Sequence, residues 1–294
     1  MSSDTQTGSQ TGTDTYTAVA SRSAAAVISG YSTSFGIASR LLAEPVRTHV
    51  RNIYALVRIA DEIVDAPSPV LSPDRRAALL TELEADTERA LQEGHSNNLV
   101  VHAFATTARE VGIQRDIVDA FFAAMRTDLV VSEHDTASIA RYVYGSAEVV
   151  GLMCLRAFVA GHTGAGYDQL ADGARHLGAA FQKVNFLRDI AEDEEVRGRC
   201  YLPGVRAATF TDAQRDALLD DIEADLAASV PAMAMLPAGS RRAVLVAHAL
   251  FAALARRLRE TPAQRIARER VRVPGHVKAA LVLRALALAP GTRS

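Results

Sequence analysis

The sequence predicts an all-α fold in a single domain, and three observations carry that expectation. Apolar residues recur at three- and four-residue intervals through most of the 294 residues, the spacing of one face of a helix. The ten prolines cluster at breaks between these blocks. No strand-like alternation is long enough for a sheet, and no change of composition divides residues 17 to 290. A chain of this length buries a sizeable core.

Residues 1–15 are rich in Ser, Thr, Gly and Gln, with too little apolar content to fold, so a disordered tail is expected there and a helical domain over 16–290. The tail lacks the basic start and apolar stretch of a signal peptide. A first helical block covers roughly 17–42, and Pro45 opens a second that runs to Asp65. APSPVLSP at 66–73 is a break, and Ser72-Pro73-Asp74 starts a helix over 74–93. Further helices are expected at about 97–111, 114–130, 136–161 and 167–195. RGRCYLPGV at 197–205 reads as a loop, followed by helices at about 212–229, 239–259 and 275–289.

Bulk properties narrow the function. The net charge of −2 argues against a nucleic-acid partner. Cys154 and Cys200 form no spaced framework, which fits a reducing, cytoplasmic setting. Cys154, within GLMCLRAF, reads as a core residue. No uninterrupted apolar run reaches the ~18 residues of a membrane span. The basic stretch Arg256, Arg257, Arg259, Arg265, Arg268, Arg270 and Arg272 reads first as a solvated helix face. Peripheral contact with anionic lipid at the inner face of a membrane is its alternative. No feature identifies a protein partner.

Two acid-rich segments stand out, VRIADEIVD at 57–65 and QKVNFLRDIAEDEEVRGRCYLP at 182–203. On a helix, residues three and four apart share a face. Tyr54, Arg58, Asp61 and Asp65 therefore form one stripe, and Gln182, Asn185, Asp189 and Asp193 another. A like-charge pair at i,i+4 costs about 0.2–0.5 kcal/mol, and nothing within either helix offsets it. A divalent cation does: Mg²⁺ takes hard oxygen ligands and is held by one or two carboxylates plus substrate phosphates. Two facing stripes of this kind read as a diphosphate site bridged by Mg²⁺, with Mn²⁺ as the alternative ion.

The same spacing at Asp168/Asp172, Asp212/Asp216, Asp216/Asp220 and Asp221/Asp225 reads as solvated surface. The chosen pairs differ in being flanked by apolar residues, where acids are rarely buried without a partner. The histidines His95, His102, His134, His162, His176, His248 and His276 share no metal-ligand spacing. No Ser-His-Asp arrangement, Gly-rich phosphate loop or dinucleotide fingerprint is present.

On these segments and two others, the chain resembles the squalene/phytoene synthase family of head-to-head prenyltransferases from about residue 20 to 290. YSTSFGIASRLL at 31–42 resembles the family's Ser-x-Ser-Phe segment, and NIYALVRIADEIVD at 52–65 its first Asp-rich helix. FFAAMRTDL at 121–129 resembles its Met-x-x-Asp stretch. QKVNFLRDIAED with GRCYLP resembles its second Asp-rich helix and following loop. Two departures occur. In YVYGSAEVVG at 142–151, Ser146 and Glu148 replace the usual Val and Gly, and the spacing from Asp193 to GRCYLP is one residue longer than in the compact motif.

The resemblance implies an isoprenoid-synthase-type helical bundle with a central apolar cavity. It implies Mg²⁺-dependent joining of two geranylgeranyl diphosphates, through a cyclopropyl diphosphate (prephytoene diphosphate), to phytoene, without NADPH. Asp61, Asp65, Asp189 and Asp193, with Asn185, would hold the metal. Arg58 and Arg188 would meet diphosphate oxygens with the guanidinium fork, although an ion pair with Glu192 is the alternative for Arg188. Tyr31, Ser32, Thr33 and Ser34 would line the first-helix end of the pocket, Tyr54 and Tyr142 would face carbocations, and Gln182 would reach a diphosphate or a water. Squalene or dehydrosqualene synthesis from farnesyl diphosphate, or a non-catalytic relative, is the competing implication.

Overall fold

The computed structural model describes the backbone of residues 5–31, 34–67 and 70–288, and the side chains of 14–31, 36–67 and 70–284. Among the described residues thirteen α-helices follow one another: α1 (Thr5–Tyr31), α2 (Ser34–Ser39), α3 (Val46–Asp65), α4 (Pro73–Glu93), α5 (Leu99–Val111), α6 (Arg115–Val130), α7 (Thr136–Val143), α8 (Val149–Val159), α9 (Tyr167–Glu195), α10 (Asp212–Met235), α11 (Ala238–Arg259), α12 (Ala263–Ile266) and α13 (Gly275–Leu288). A π-helical turn at Tyr144–Glu148 joins α7 to α8, and a 3₁₀ turn at Ala207–Thr209 precedes α10. Among the described residues β-pairing is limited to one isolated bridge between Glu133 and Cys200, so the all-α expectation is met.

Local chemistry sets the helix ends. Ser72 accepts the Arg75 N–H with Pro73 in the first turn of α4, and Gly94 closes that helix at φ 82°. The Asn98 side chain accepts from Val100 and Val101 at the start of α5. Asp135 with Ser138, and Thr211 with Gln214, form reciprocal capping boxes on α7 and α10.

Four elements depart from the sequence expectation. The first block comprises two helices, α1 ending at Tyr31 and α2 running from Ser34 only to Ser39. The expected disordered tail 1–15 is not met over residues 5–15, whose backbone continues α1. Extending a helix adds one bond per residue without a new nucleus, so a packed segment from Tyr16 onward can carry polar residues before it. The block at 136–161 contains the π turn, and α10 continues through Pro231 to Met235 instead of stopping at 229. Pro231 is exposed, so the carbonyl it leaves unpaired meets water, while Met233 and Leu236 bury the final turn.

The core packs both α3 and α9 against α8. Ile53, Leu56, Ala60 and Val64 of α3 are buried, as are Val184, Phe186, Leu187 and Ile190 of α9. Each large apolar side chain so buried contributes about 1.5–3 kcal/mol. The α8–α9 interface is closer than side chains normally allow. A Cβ on Gly151 would lie 2.6 Å from the Ala174 carbonyl oxygen, and one on Gly178 would lie 2.5 Å from that of Ala147. Two helical stretches, Thr136–Val159 and Ala238–Arg259, are long and apolar enough by composition to cross a membrane. Half of each is buried against other helices, as in a core helix.

Candidate active site

Between α3, α8, α9 and α11 lies a cavity of about 380 Å³. Most of its wall is apolar, including Ile53, Val57, Val150, Leu155, Phe181 and Val244. Its polar residues include Tyr54, Arg58 and Asp61 from α3, Tyr142 from α7, Ser146 from the π turn, and Gln182 and Asn185 from α9. The structure thus brings six of the sequence-predicted residues to one chamber: Tyr54, Arg58, Asp61, Tyr142, Gln182 and Asn185. Asp65, Asp189 and Asp193 lie one or two helical turns further along the same stripes and do not line the chamber. Cys154 does line it, and burial pushes its thiol up to about 12, which leaves it a neutral apolar wall group.

Within the cavity Asp61 is the acid. Burial pushes its pKa up to about 7, Asp65 adds to the rise, and Arg58 opposes it from 3.9 Å. About a third of the side chain is nevertheless open, on a residue that lines the chamber. Arg58 bonds Glu62 one turn on and lays its guanidinium 4.4 Å over the Tyr31 ring. Its Nε is buried without a hydrogen-bond partner. Tyr31 itself is half-exposed and borders the chamber through Arg58. Ser32 and Thr33 lie outside the described residues, as does the side chain of Ser34.

The other three acids are tied by arginines. Arg197 spans the two stripes, with Nη1 2.9 Å from Asp193 and Nε 3.4 Å from Asp65. Arg199 donates to Asp65 at 2.6 Å and to the Val64 carbonyl at 2.9 Å. Asp189 is held by its neighbour Arg188, with Nε at 2.9 Å, and by Arg270, with Nε at 3.0 Å. Burial pushes Asp193 up to about 7, against the pull of Arg197 and with a further rise from Asp189. Arg188 therefore turns toward Asp189, and Glu192 pairs instead with Arg197 and Arg270. The expectation that the acid pairs stand uncompensated is corrected: Arg58 and Arg188 supply offsetting charge from within the two helices, and Arg197, Arg199 and Arg270 add it from the loop after α9 and from residue 270.

Behind the chamber lies a polar group that the helical spacing did not single out. Asp128 of α6 is buried and accepts hydrogen bonds from the Tyr142 hydroxyl at 2.6 Å and the Tyr201 hydroxyl at 2.7 Å. Arg199 lies 3.9 Å away. Both Asp128 and Tyr201 sit in segments already marked by resemblance, FFAAMRTDL and GRCYLP, so the signal was present without a role attached. The two departures also find places. Glu148 bonds Arg175 of α9 at 2.7 Å, and the Ser146 hydroxyl is buried at the chamber wall without a partner. The basic stretch is partly consumed by ion pairs: Arg259 with Asp220 and Glu223, Arg265 with Glu269, and Arg270 with Asp189.

Among the described residues no three of His, Cys, Asp and Glu cluster closely enough to enclose a metal ion by themselves. The donor set still fits a hard cation shared with a substrate. It consists of carboxylate and amide oxygens on two helices that line one chamber, with Asp61 driven toward its neutral form by burial and a like charge.

A 15-cis-phytoene synthase from Paracoccus sp. is 33% identical over 184 residues, 59% of this chain and 56% of that protein. A presqualene diphosphate synthase from Rhodopseudomonas palustris is 31% identical over 175 residues, 58% of each chain. The chain thus spans little more than half the length of these curated relatives. A solved dehydrosqualene synthase in complex with ligand superposes with a TM-score of 0.80 at 21% identity, covering 92% of this chain and 96% of that one. That likeness shows the same all-α fold. Residues 28–276 match the sequence profile described as squalene/phytoene synthase, and with that match spanning most of its length the chain belongs to the squalene/phytoene synthase family.

Proposed function

We propose that this chain is a prenyltransferase of the phytoene synthase type, condensing two geranylgeranyl diphosphates head to head through prephytoene diphosphate to phytoene, with release of two diphosphates. One observation carries the reading. The chamber joins a long apolar wall to a polar end where Arg58, Asp61, Gln182 and Asn185 converge, and the buried Arg58 Nε is unpartnered. Such a chamber suits an amphiphile with an extended apolar tail and an anionic head. The phytoene synthases and the presqualene diphosphate synthase among its relatives support a prenyl diphosphate as that amphiphile.

Asp61, Asp65, Asn185, Asp189 and Asp193 would hold Mg²⁺, or Mn²⁺ in its place. When bound, the cation supplies Lewis-acid neutralisation of the leaving diphosphate, worth several kcal/mol. The chain's own part is to place the head group and keep water from the tail. Arg58 presents a planar fork suited to diphosphate oxygens, and Gln182 offers an amide donor beside it. The Val150, Phe181 and Leu155 wall excludes the water that would quench a cation. Tyr54 and Tyr142 line the same chamber, where an aromatic face attracts positive charge.

The second reading is a squalene, dehydrosqualene or presqualene-type enzyme acting on farnesyl diphosphate, favoured by the presqualene diphosphate synthase relative and by a 4,4'-diapophytoene synthase from Staphylococcus haemolyticus at 26% identity. One isoprene unit is distinguished only by apolar packing, at about 1–3 kcal/mol per methylene. Incubation with each diphosphate and Mg²⁺, with and without NADPH, followed by mass spectrometry, decides between them. Phytoene from geranylgeranyl diphosphate, unchanged by NADPH, is the expected result. A thirty-carbon product formed preferentially from farnesyl diphosphate overturns the chain-length assignment and leaves the head-to-head chemistry standing.

A further inference from the structure

We infer that Asp128 is a positioning residue that holds Tyr142 against the chamber and Arg199 against Asp65, acting through both without touching substrate. This role rests on the prenyltransferase reading and deepens it. Asp128 does not line the chamber, and 8% of its surface is exposed. Its two oxygens are divided between two phenols: Oδ2 accepts from Tyr142 and Oδ1 from Tyr201. Arg199 closes the arrangement, with Nη1 3.3 Å from the Tyr201 hydroxyl and 2.6 Å from Asp65 Oδ1. One buried carboxylate thus ties α6, α7, the loop after α9 and the end of α3.

Three features separate this from ordinary core filling. First, a buried carboxylate is costly unless fully bonded, whereas an apolar residue at the same place would pack without that cost. Second, the single O–H of Tyr142 is committed to Asp128, so the ring has no freedom to turn its hydroxyl into the chamber. Burial and Asp128 raise the Tyr142 pKa well above its ordinary value, so it remains a phenol and offers its ring, not a phenolate. Third, the ring is wedged from behind. Tyr201 stacks on Phe186 at 4.5 Å and on His134 at 5.6 Å, and Tyr142 lies 5.2 Å from Tyr201. A charge-assisted bond on the phenol end and a wall of rings behind it fix the face that meets developing positive charge.

The test uses the full chain carrying Asp128→Asn, Tyr142→Phe, and both. Asp128→Asn keeps the shape but loses the charge and one acceptor. The expected result is a fall in kcat of about 10–100-fold, as for other groups that orient a working residue, with KM within about twofold. The double variant should be no slower than the slower single one. A kcat within about twofold of wild type for folded Asp128→Asn, or multiplicative losses in the double variant, overturns the role. Proton NMR gives a readout that needs no turnover. The Tyr142 and Tyr201 hydroxyl protons should resonate far downfield, and both should move upfield in Asp128→Asn. In Tyr142→Phe one resonance should vanish and the other shift, because they share one carboxylate. This variant carries the test if Asp128→Asn does not fold. An unshifted Tyr201 resonance there overturns the inference. Should the wild type turn over no prenyl diphosphate, the proposed activity fails, while the NMR arm still decides whether Asp128 holds Tyr142.

Discussion

The two Asp pairs look alike in sequence and differ in three dimensions. On α3, Asp61 lines the chamber and has Arg58 beside it at 3.9 Å, while Asp65, one turn on, is held by Arg197 and Arg199. On α9 both acids are held, Asp193 by Arg197 and Asp189 by Arg188 and Arg270, and neither lines the chamber. The polar end of the chamber is therefore acidic on the α3 side and neutral on the α9 side, where Gln182 and Asn185 stand. Identical spacing gives one acid open to a ligand and three neutralised by arginine. Cation binding would begin at Asp61 and would draw the α9 acids away from their arginines.

The largest effect is expected where that asymmetry is greatest. Asp61→Asn should lower turnover by about 10²–10³-fold, the range seen when one charge-stabilising group is removed from a site. Its stability should move the other way. Burial and Asp65 raise the folded pKa of Asp61 from 3.8 to about 7, so the folded state binds the proton more tightly than the unfolded chain. Stability therefore falls as pH rises from about 4 to about 7, and this loss is complete above that window. Asn carries no such penalty. In the absence of Mg²⁺, Asp61→Asn should raise Tm at pH 8 by roughly 2–4 °C per kcal/mol relieved, and the gain should disappear near pH 4. Equal melting temperatures at pH 8 would place Asp61 in a less costly environment than the chamber provides.

Arg58 sharpens the same side. Arg58→Lys keeps the charge but loses the fork and the flat contact with Tyr31. The expected change is a fall in kcat of about tenfold or more with a smaller rise in KM, since the group would act on charge that develops as diphosphate leaves. A change confined to KM would make Arg58 a ground-state anchor.

A subtler outcome is expected on the α9 side. Arg270→Ala releases Asp189 from one of its two arginines, and Arg270 is half-exposed, so the stability cost should stay below about 1 kcal/mol. Calorimetric titration with Mg²⁺ alone should show affinity higher by up to about fivefold, the equivalent of about 1 kcal/mol. Unchanged affinity would mean that the arginine does not compete with the cation, and the contrast between the two helices would lose its meaning.

What was legible in the sequence follows from range. The stripes of α3 and α9, the bounds of α3 at Pro45 and Asp65, and the Ser72-Pro73 start of α4 depend on residues close in sequence, and each lies where periodicity and punctuation put it. The arginine ties do not. Arg199 and Asp65 are 134 positions apart, and no local pattern marks their meeting. The π turn was illegible for another reason: YGSAE reads as ordinary helix, and no residue type in it marks the wider turn. Pro231 misled in the opposite sense, because burial of Met233 and Leu236 outweighs one lost backbone bond.

The smallest effect is expected at Asp216, which has the same i,i+4 spacing to Asp212 and Asp220 as the acids of the site. Asp216 lies on α10, is 43% exposed, and touches Arg215 at 2.9 Å and Arg259 at 3.8 Å. Arg215 keeps Asp212 and the Thr261 carbonyl, each at 2.8 Å, if Asp216 becomes neutral. Asp216→Asn should therefore cost at most about 1 kcal/mol, as for other partly exposed ion pairs, and leave kcat, KM and Mg²⁺ dependence at wild-type values. Measured beside Asp61→Asn, it separates spacing from surroundings. A loss of turnover in Asp216→Asn with folded protein would mean that charge on α10 reaches the site, and the division between chamber acids and surface acids would have to be redrawn.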